Sequence, residues 1–408
     1  MRRLVSLALA LALLLGMGLG TAAWSAEYKI GVAVPLTGLF GKDGELIRDA
    51  YTFWAETVNA QGGMGAAGKK AQVKLIFRDD MSDPQTSAKL VEQLITGERV
   101  DLLLGGFGSG PIMAASAASE RSGYPMISGA ASSNKLFERK FKYYFSTLGK
   151  ATDEVKGAVD VLFTQNPKPQ SVAIIGANTP FTADACQGFK NFAEAAGVKV
   201  VHFELFPPTL QDYNTMLEKA KAANPDVLLV GSHLGVALRV MKAMKEIKFA
   251  PKAVAFSYGP TVPAFVQGMG KDAEYVFAAS EWTPNLPYTG PIFGSAKDFN
   301  QAYFKRFNRH PDYVEAATVA GALAQQTVVE QLGLTPPIKA EDRVKIMEGL
   351  HKLDLNTFYG RVKFDPEGAN EAHPPVAVQV QDGKLVNVYP AEAAEAKPRY
   401  PMPAWEQR

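Results

Sequence analysis

The chain has 408 residues, of which 47% are hydrophobic and 21% are charged, with 43 basic residues, 41 acidic residues and a single cysteine. This length is too great for one ordinary core and indicates about two domains. The balanced charge excludes a basic arm for nucleic acid, and the normal apolar content excludes intrinsic disorder.

The first 25 residues have the pattern of a secretory signal peptide. A basic start precedes an apolar stretch over residues 4–19 and a group of small residues around Trp24. Cleavage after Ser25 removes two arginines and leaves 41 basic and 41 acidic residues. No later apolar run reaches about 18 residues, so the remaining chain is expected to be soluble. The lone Cys186 favours a bacterial periplasm over a disulfide-rich scaffold.

Strands and helices alternate in the first part of the chain. Apolar runs of the buried type predict strands over residues 28–35, 73–78, 100–105 and 124–128. Amphipathic spacing predicts helices over residues 45–59, 85–96 and 112–121, the second with Asp83 as its N-cap. This order is typical of a parallel sheet with right-handed crossovers.

The same plan begins again after residue 150 and predicts a second α/β lobe. Helices are predicted over residues 151–164, 183–197, 213–223 and 235–247, and strands over residues 171–176, 198–206, 226–231, 252–257 and 276–279. Helices over residues 292–308, 313–332 and 340–350 follow, and then antiparallel strands over residues 361–364 and 376–388, with Asp382-Gly383 as a hairpin signal. The tail from residue 391 is expected to be exposed and to be ordered only by docking.

Two loops rich in glycine and small residues follow the third and fourth predicted strands. Both leave the carboxyl ends of neighbouring parallel strands, where open α/β sheets place their ligands. Ser109 and the free amides at the start of the next helix suit an anion such as a carboxylate. Ser132 and the backbone of Ala130 can approach the same group from the second loop. A packed βαβ unit whose glycines only make tight turns would give the same pattern.

Motifs of known enzymes are missing from the sequence. Residues 106–111 read GFGSGP, which fails G-x-G-x-x-G because Pro111 takes the last position and fails G-x-S-x-G because Phe107 takes the first. The five histidines show no metal-ligand spacing, and there is no cysteine cluster. No enzyme activity, cofactor or metal is therefore expected.

The chain resembles the periplasmic substrate-binding proteins of ABC-type importers, in the branch typified by leucine/isoleucine/valine-binding proteins. The segments that carry the resemblance are YKIGVAVPLTG, NAQGGMG, FRDDMSDPQTSA, LLLGGFGSGPIMAASAASERSGYPMISGAASS, SVAIIG, DVLLVG, EWTPNLPYTGPIFGSAKDFNQAYFKRF and YVEAATVAGAL. No single segment is unique, but their order and spacing match over essentially the whole chain after the signal peptide.

The resemblance implies the type I periplasmic binding protein fold, with two Rossmann-like α/β lobes joined by a three-segment hinge that closes on a ligand. The expected boundaries are residues 1–25 for the signal peptide, 26–148 and 278–355 for the first lobe, 149–277 and 356–390 for the second lobe, and 391–408 for an extended tail. The implied partners are a small carboxylate ligand and the membrane permease and ATPase of an importer. The protein is expected to act in the periplasm as a monomer, without nucleic acid.

In such proteins the first lobe holds the ligand carboxylate through a serine after the third strand and a serine or threonine in the next loop. These positions fall on Ser109 and Ser132, with Ala130 offering backbone, which agrees with the residue-based interpretation above. The cysteine pair that is common in the leucine-binding relatives is replaced by Ser82 and Gly108.

Two further departures bear on the ligand. The loop position that often carries an aromatic side chain is Asp43, with Phe40 nearby, and the second-lobe acid that pairs with an amino acid's ammonium group aligns with Tyr258. Without that carboxylate a buried ammonium group would lack its partner. Glu281 or Asp43 are alternative sources of a carboxylate.

Aromatic residues complete the expected pocket, although ordinary core packing is the alternative for each of them. The candidates are Phe107, Phe181, His233 and Trp282. Aromatic walls with few polar anchors suit an aromatic acid, and Tyr258 favours that ligand slightly over a branched-chain or other amino acid. The rival function is a sensory receptor of the same fold, which would normally need a transmembrane or kinase segment that this sequence lacks.

Overall fold

The computed structural model describes residues 27–372 and 374–408. The predicted signal peptide, residues 1–25, lies outside the described residues. The first sheet is built from the amino-terminal third of the chain and comprises β1 (Glu27–Val34), β2 (Gln72–Asp79), β3 (Leu102–Leu104), β4 (Met126–Ser128) and β5 (Tyr144–Ser146). Its strands are parallel and lie in the order β2-β1-β3-β4-β5, as the alternating pattern predicts.

The second sheet has seven strands in the order β16-β15-β10-β9-β8-β6-β7. The strands after β5, in chain order, are β6 (Ser171–Ala177), β7 (Lys199–Phe206), β8 (Val227–Gly231), β9 (Ala253–Phe256), β10 (Phe277–Ser280), β11 (Thr289–Gly290), β12 (Gly294–Ser295), β13 (Leu355–Thr357), β14 (Gly360–Val362), β15 (Val376–Gln381) and β16 (Lys384–Tyr389). Strands β6 to β10 are parallel, and the β15–β16 hairpin adds antiparallel to β10.

Helices cover the faces of both sheets. They are α1 (Gly41–Ala60), α2 (Pro84–Thr96), α3 (Ser109–Arg121), α4 (Asn134–Glu138), α5 (Ala151–Glu154), α6 (Lys156–Phe163), α7 (Pro180–Ala195), α8 (Tyr213–Ala222), α9 (Leu234–Glu246), α10 (Pro263–Met269), α11 (Ala296–Phe307), α12 (Tyr313–Gln331) and α13 (Ala340–His351). The predicted N-cap is confirmed, because the Asp83 side chain accepts a hydrogen bond from the Thr86 N–H.

Helix α12 is buried along almost its whole length and packs against the first lobe near the site loops. At Gly129, just after β4, a Cβ atom would overlap the backbone of Thr318 in α12. The glycine therefore permits a close approach that fixes the second loop against this helix.

Some element limits differ from the prediction. The helix predicted over residues 292–308 begins only at Ala296, because the chain first forms the β11–β12 turn and Ser295 then caps the helix. Strand β5 and helix α10 were not predicted, since each is too short to show a period.

The fold class is confirmed: two α/β lobes are joined by three chain crossings within the described residues. The predicted boundaries of the crossings need correction. Strand β10 pairs with β9 and β15, so the second lobe extends to Ser280 rather than residue 277. Residues 356–372 pack on the first lobe instead of the second, since Gly368 O accepts a hydrogen bond from the Ser146 N–H. These limits depend on long-range strand pairing, which local sequence patterns do not report.

The predicted extended tail docks on the second lobe. The Met402 N–H donates to Lys252 O over 2.7 Å, and Trp405 Nε1 donates to Phe249 O over 2.9 Å. Trp405 is buried there. None of the described helices has the length and apolar character needed to cross a bilayer.

Candidate functional site

A small cavity lies between the two lobes, and we call it the cleft cavity. It is lined by Phe107, Gly108, Ser109, Ala130, Ala131, Ser132, Leu148, Glu154, Phe181, His233, Tyr258, Tyr313 and Val314. The first lobe contributes the loops after β3 and β4 and the start of α12, and the second lobe contributes the starts of α7 and α9 and the loop after β9. The cavity is therefore at the carboxyl ends of the strands of both sheets.

Ser109 is the first residue of α3 and connects the two loops of the first lobe. Its Oγ accepts hydrogen bonds from the backbone N–H groups of Ser132, over 3.3 Å, and Ser133, over 3.1 Å. The preceding Gly108 has φ of 88°, a conformation that favours glycine, and it turns the chain from β3 into the helix. The N–H groups of Ser109 and Gly110 belong to the first turn, where a helix offers them no internal acceptor.

The main chain of Ala130 already has partners within the protein. Its N–H donates to Ser128 Oγ over 3.2 Å, and its carbonyl accepts from the Gly108 N–H over 3.0 Å. These bonds hold the second loop beside the first, so that Ala130 lines the cavity as part of a fixed wall.

Aromatic rings from both lobes form the remaining walls. The His233 ring centroid lies 5.6 Å from that of Phe107 and 5.3 Å from that of Phe181, and Tyr258 lies 5.7 Å from Tyr313. His233 is the N-cap residue of α9, and burial lowers its pKa to about 4. At neutral pH it therefore presents an uncharged ring to the cavity.

The lobes touch each other around the cavity. Phe40, next to the cavity, packs its ring 4.8 Å from the His233 ring. Asp184 of α7 accepts hydrogen bonds from Ser133 Oγ over 2.5 Å and from the Asn134 N–H over 2.9 Å. Because these contacts join opposite sides of the cleft, the arrangement is that of a closed cleft.

Glu154, which the sequence analysis did not select, is an acidic residue in the wall of the cleft cavity. It ends α5, just after the first crossing, and its side chain is buried. Neither of its carboxylate oxygens has a hydrogen-bond partner. Burial raises the pKa of Glu154 well above its usual value, Glu281 adds to this effect, and the nearby Ser132 hydroxyl opposes it.

Asp43, Glu281 and Trp282 lie outside the cleft cavity. Asp43 is buried behind Tyr258, where burial and the neighbouring Asp312 raise its pKa to about 8. Glu281 accepts hydrogen bonds from Tyr359 OH, over 2.6 Å, and from the Gly149 N–H. Trp282 donates its Nε1–H to the Phe358 carbonyl, so it packs in the core of the hinge region.

Of the eleven residues that the sequence analysis selected, seven line the cleft cavity and a further one, Phe40, lies beside it. The seven are Phe107, Ser109, Ala130, Ser132, Phe181, His233 and Tyr258. Leu148, Glu154, Tyr313 and Val314 were missed, because they reach the cavity through chain crossings. Tyr313 did have a signal, since it follows a capping aspartate in a segment that carries the family resemblance.

A sequence profile for the family described as periplasmic binding protein matches residues 27–384. The chain belongs to the periplasmic binding protein family. This periplasmic binding protein is 25% identical over 397 residues to Leu/Ile/Val-binding protein homolog 7 of Brucella melitensis biotype 1, covering 93% of this chain and 95% of the relative.

Solved structures show the same fold. The substrate-binding protein of a branched-chain amino acid transporter from Streptococcus pneumoniae, in complex with isoleucine, matches with a TM-score of 0.77 and 19% identity, over 92% of this chain and 100% of that chain. A solute-binding protein of an ABC transporter from Rhodopseudomonas palustris BisB5, in complex with 3,4-dihydroxybenzoic acid, matches with a TM-score of 0.76 and 21% identity, over 94% and 99%. At these identities the likeness establishes the type I fold of this periplasmic binding protein.

Proposed function

We propose that this protein is the solute-binding component of an ABC importer. It is exported by its signal peptide, captures a small carboxylate in the cleft cavity, closes, and presents the ligand to a membrane permease with its ATPase. The support is the family, the transporter proteins that share the fold, and the chemistry of the cavity.

The observation that supports a carboxylate ligand is the set of hydrogen bonds that Ser109 makes. A serine hydroxyl has two acceptor positions and one donor hydrogen. The N–H groups of Ser132 and Ser133 occupy both acceptor positions, so the hydroxyl can offer a ligand only its hydrogen. A group that accepts hydrogen bonds is therefore favoured, and a carboxylate is the strongest such group in a small metabolite.

The start of α3 adds a favourable field for an anion. The unpaired N–H groups of its first turn point out of the helix, and the helix dipole places partial positive charge at the same end. No lysine or arginine lines the cleft cavity, so hydrogen bonds and the dipole hold the acid group without an ion pair.

The aromatic walls favour an apolar body on the ligand. Phe107, Phe181, His233 and Tyr258 lie against one another in the wall of the cavity, and such walls favour an apolar ligand body. The related folds hold isoleucine in one protein and 3,4-dihydroxybenzoic acid in another. Both ligands combine a carboxylate with an apolar part.

Closure follows from contacts that a ligand makes with both lobes. A ligand bound to the serines of the first lobe also touches the rings of the second, so it stabilises the closed state over the open one. The bonds from Ser133 and Asn134 to Asp184 then add to the closed state.

Calorimetric titration of the protein freed of co-purifying ligand tests the proposal. The probes are benzoate, 3-phenylpropanoate, L-leucine and L-phenylalanine, each with its carboxamide as the matched control. We expect at least one carboxylate to bind at least about tenfold more tightly than its amide, the effect of one charge-assisted hydrogen bond. Equal binding of acids and amides, or a co-purifying ligand without an acid group, would refute the carboxylate site.

A further inference from the structure

Glu154 occupies an unusual place in the fold, between two cavities. On one side it lines the cleft cavity, and on the other it lines a second cavity at the crossings. We call this the hinge cavity; Gly149, Lys150, Glu281 and Asn370 also line it. Its carboxylate atoms are nevertheless buried and have no hydrogen-bond partner. A buried carboxylate without hydrogen bonds is unfavourable in free energy unless it binds a proton or a group of the ligand.

We propose that Glu154 binds the ammonium group of the ligand, so that the captured carboxylate is an α-amino acid with an apolar side chain. This inference rests on the proposed function, because it assumes that the serines hold the acid group of the same molecule. It places the cation-binding residue on the first hinge segment rather than on the second-lobe loop that carries Tyr258.

The position of Glu154 relative to the serines matches the spacing of an α-amino acid. The Ala151 N–H at the start of α5 donates to the Ser132 carbonyl over 2.8 Å, which ties this helix to the carboxylate loop. The Ser132 hydroxyl lies near enough to Glu154 to favour its ionised form, although the two groups do not have the geometry of a hydrogen bond. In an α-amino acid the two charged groups are attached to one carbon atom, so their binding partners must be neighbours, as Ser132 and Glu154 are.

The other acids near the site are less suited to an ammonium group. Asp43 is separated from the cleft cavity by Tyr258 and does not line it. Glu281 already accepts hydrogen bonds at both oxygens, from Gly149 and Tyr359. Glu154 is the one acidic residue among those lining the cleft cavity, and it is the one with both oxygens free of partners.

The charged groups around Glu154 bear on the protonation of its side chain in the empty site. Two acidic residues face it, Asp153 from its own helix and Glu281 after β10. The neutral phenols of Tyr313 and Tyr359 are also near, since Glu154 raises their pKa values. Lys150 and Lys156 lie in the hinge cavity with Asp365 and Glu371, and Lys150 is paired there with Glu367. Burial and the acidic neighbours therefore favour the protonated form of Glu154 when the site is empty.

Binding of an ammonium group reverses this balance. The nearby positive charge favours the ionised carboxylate, so the O–H bond of Glu154 breaks and its proton passes to the buffer, while the ammonium group keeps its own protons. Binding of the ammonium group should therefore lower the pKa of Glu154.

Calorimetry with amino acids and their analogues that lack the amine tests this assignment. The pairs are L-leucine with 4-methylpentanoate and L-phenylalanine with 3-phenylpropanoate. In the unchanged protein we expect one amino acid to bind at least about tenfold more tightly than its partner, the effect of one hydrogen-bonded charge pair. Glu154→Gln, which keeps the shape of the side chain, should remove that preference.

Asp153→Asn is the matched control, because it removes the same charge from the next residue, which is exposed and does not line the cleft cavity. It should keep the preference for the amine. The preference for the amine in the unchanged protein does not depend on the folding of any variant.

Two results would overturn the inference: deaminated acids that bind as tightly as the amino acids, or a Glu154→Gln variant that keeps the preference. If the deaminated acid binds and its carboxamide does not, the carboxylate site of the proposed function stands while the role of Glu154 fails. If no acid binds better than its amide, both fail.

Discussion

Replacing Ser109 with alanine tests the carboxylate site in two independent ways, because the hydroxyl has one role in the fold and another towards the ligand. In the fold its oxygen accepts from two buried N–H groups at 3.1 and 3.3 Å. A buried donor left without an acceptor costs about 1–3 kcal/mol. Since both contacts are longer than the usual 2.9–3.0 Å, we expect the free energy of unfolding to fall by about 2 kcal/mol in all.

Towards the ligand the same substitution removes one O–H donor. A hydrogen bond to a charged group contributes about 1.5–3 kcal/mol, so the dissociation constant of the tightest carboxylate probe should rise about 10- to 150-fold. Calorimetric titration gives the affinity, and urea unfolding of the free protein gives the stability.

Ser119→Ala is the matched control for Ser109→Ala. Ser119 lies in the same helix, is fully buried, and donates to the Ser116 carbonyl over 3.0 Å, away from the cleft cavity. It should lower stability by about 1 kcal/mol and leave affinity unchanged. The reasoning is refuted if Ser109→Ala binds the carboxylate within twofold of the unchanged protein, or if both variants lose affinity equally.

Three further predictions concern closure, pH and packing. Asp184→Ala removes two hydrogen bonds across the cleft, so calorimetry should show affinity lowered by about 1–3 kcal/mol, and an unchanged dissociation constant would contradict the closed-state contact. Asp43 has a pKa of about 8 in the folded protein against about 4 in the unfolded chain. Between these two pH values the folded state therefore binds one more proton than the unfolded state. The free energy of unfolding should fall as the pH rises from 4 through 8, by up to about 1.4 kcal/mol per pH unit. Urea unfolding at pH 5 and pH 8 should show a smaller difference in stability for Asp43→Asn than for the unchanged protein. An equal difference in the two proteins would count against this role of Asp43. Gly129→Ala would force a Cβ atom into the backbone of α12 and should lower the free energy of unfolding by about 1–3 kcal/mol or more. Gly235→Ala is the control: no atom lies within 4 Å of the added carbon, so stability should be unchanged or higher. Equal changes in melting temperature for the two variants would refute the packing argument.

Much of the fold was predictable because its signals are local. Apolar runs that alternate with amphipathic helices specify parallel α/β lobes, and the carboxyl ends of the strands then specify where a ligand binds. Ser109 and Ser132 could be selected this way, since each lies within five residues after the end of a strand, Ser132 in the connecting loop and Ser109 at the start of the next helix. The aromatic residues Phe107, Phe181 and His233 stand at the starts of helices or in strand-end loops, so the same rule brought them to the cavity.

The parts that could not be predicted depend on contacts between distant segments. Residues 356–372 carry no local mark that assigns them to the first lobe, and contacts with distant residues, such as the hydrogen bond from the Ser146 N–H to the Gly368 carbonyl, place them there. Trp282 is a residue type that often lines ligand pockets, but its indole N–H donates a hydrogen bond to the Phe358 carbonyl in the hinge region. Asp43 and Glu281 were reasonable sources of a carboxylate, yet each is screened from the cavity by a neighbour or already bonded.

The sequence by itself therefore determined the class of fold, the family and the loops that line the cleft cavity, because these follow from the periodicity and spacing of neighbouring residues. Tertiary structure alone decided which acid reaches the cavity. Glu154 stands on a four-residue helix with no motif around it, and it lines the cavity only because the first crossing brings that helix against the Ser132 loop. Its burial at this place, which no local pattern encodes, leaves both carboxylate oxygens without a hydrogen-bond partner.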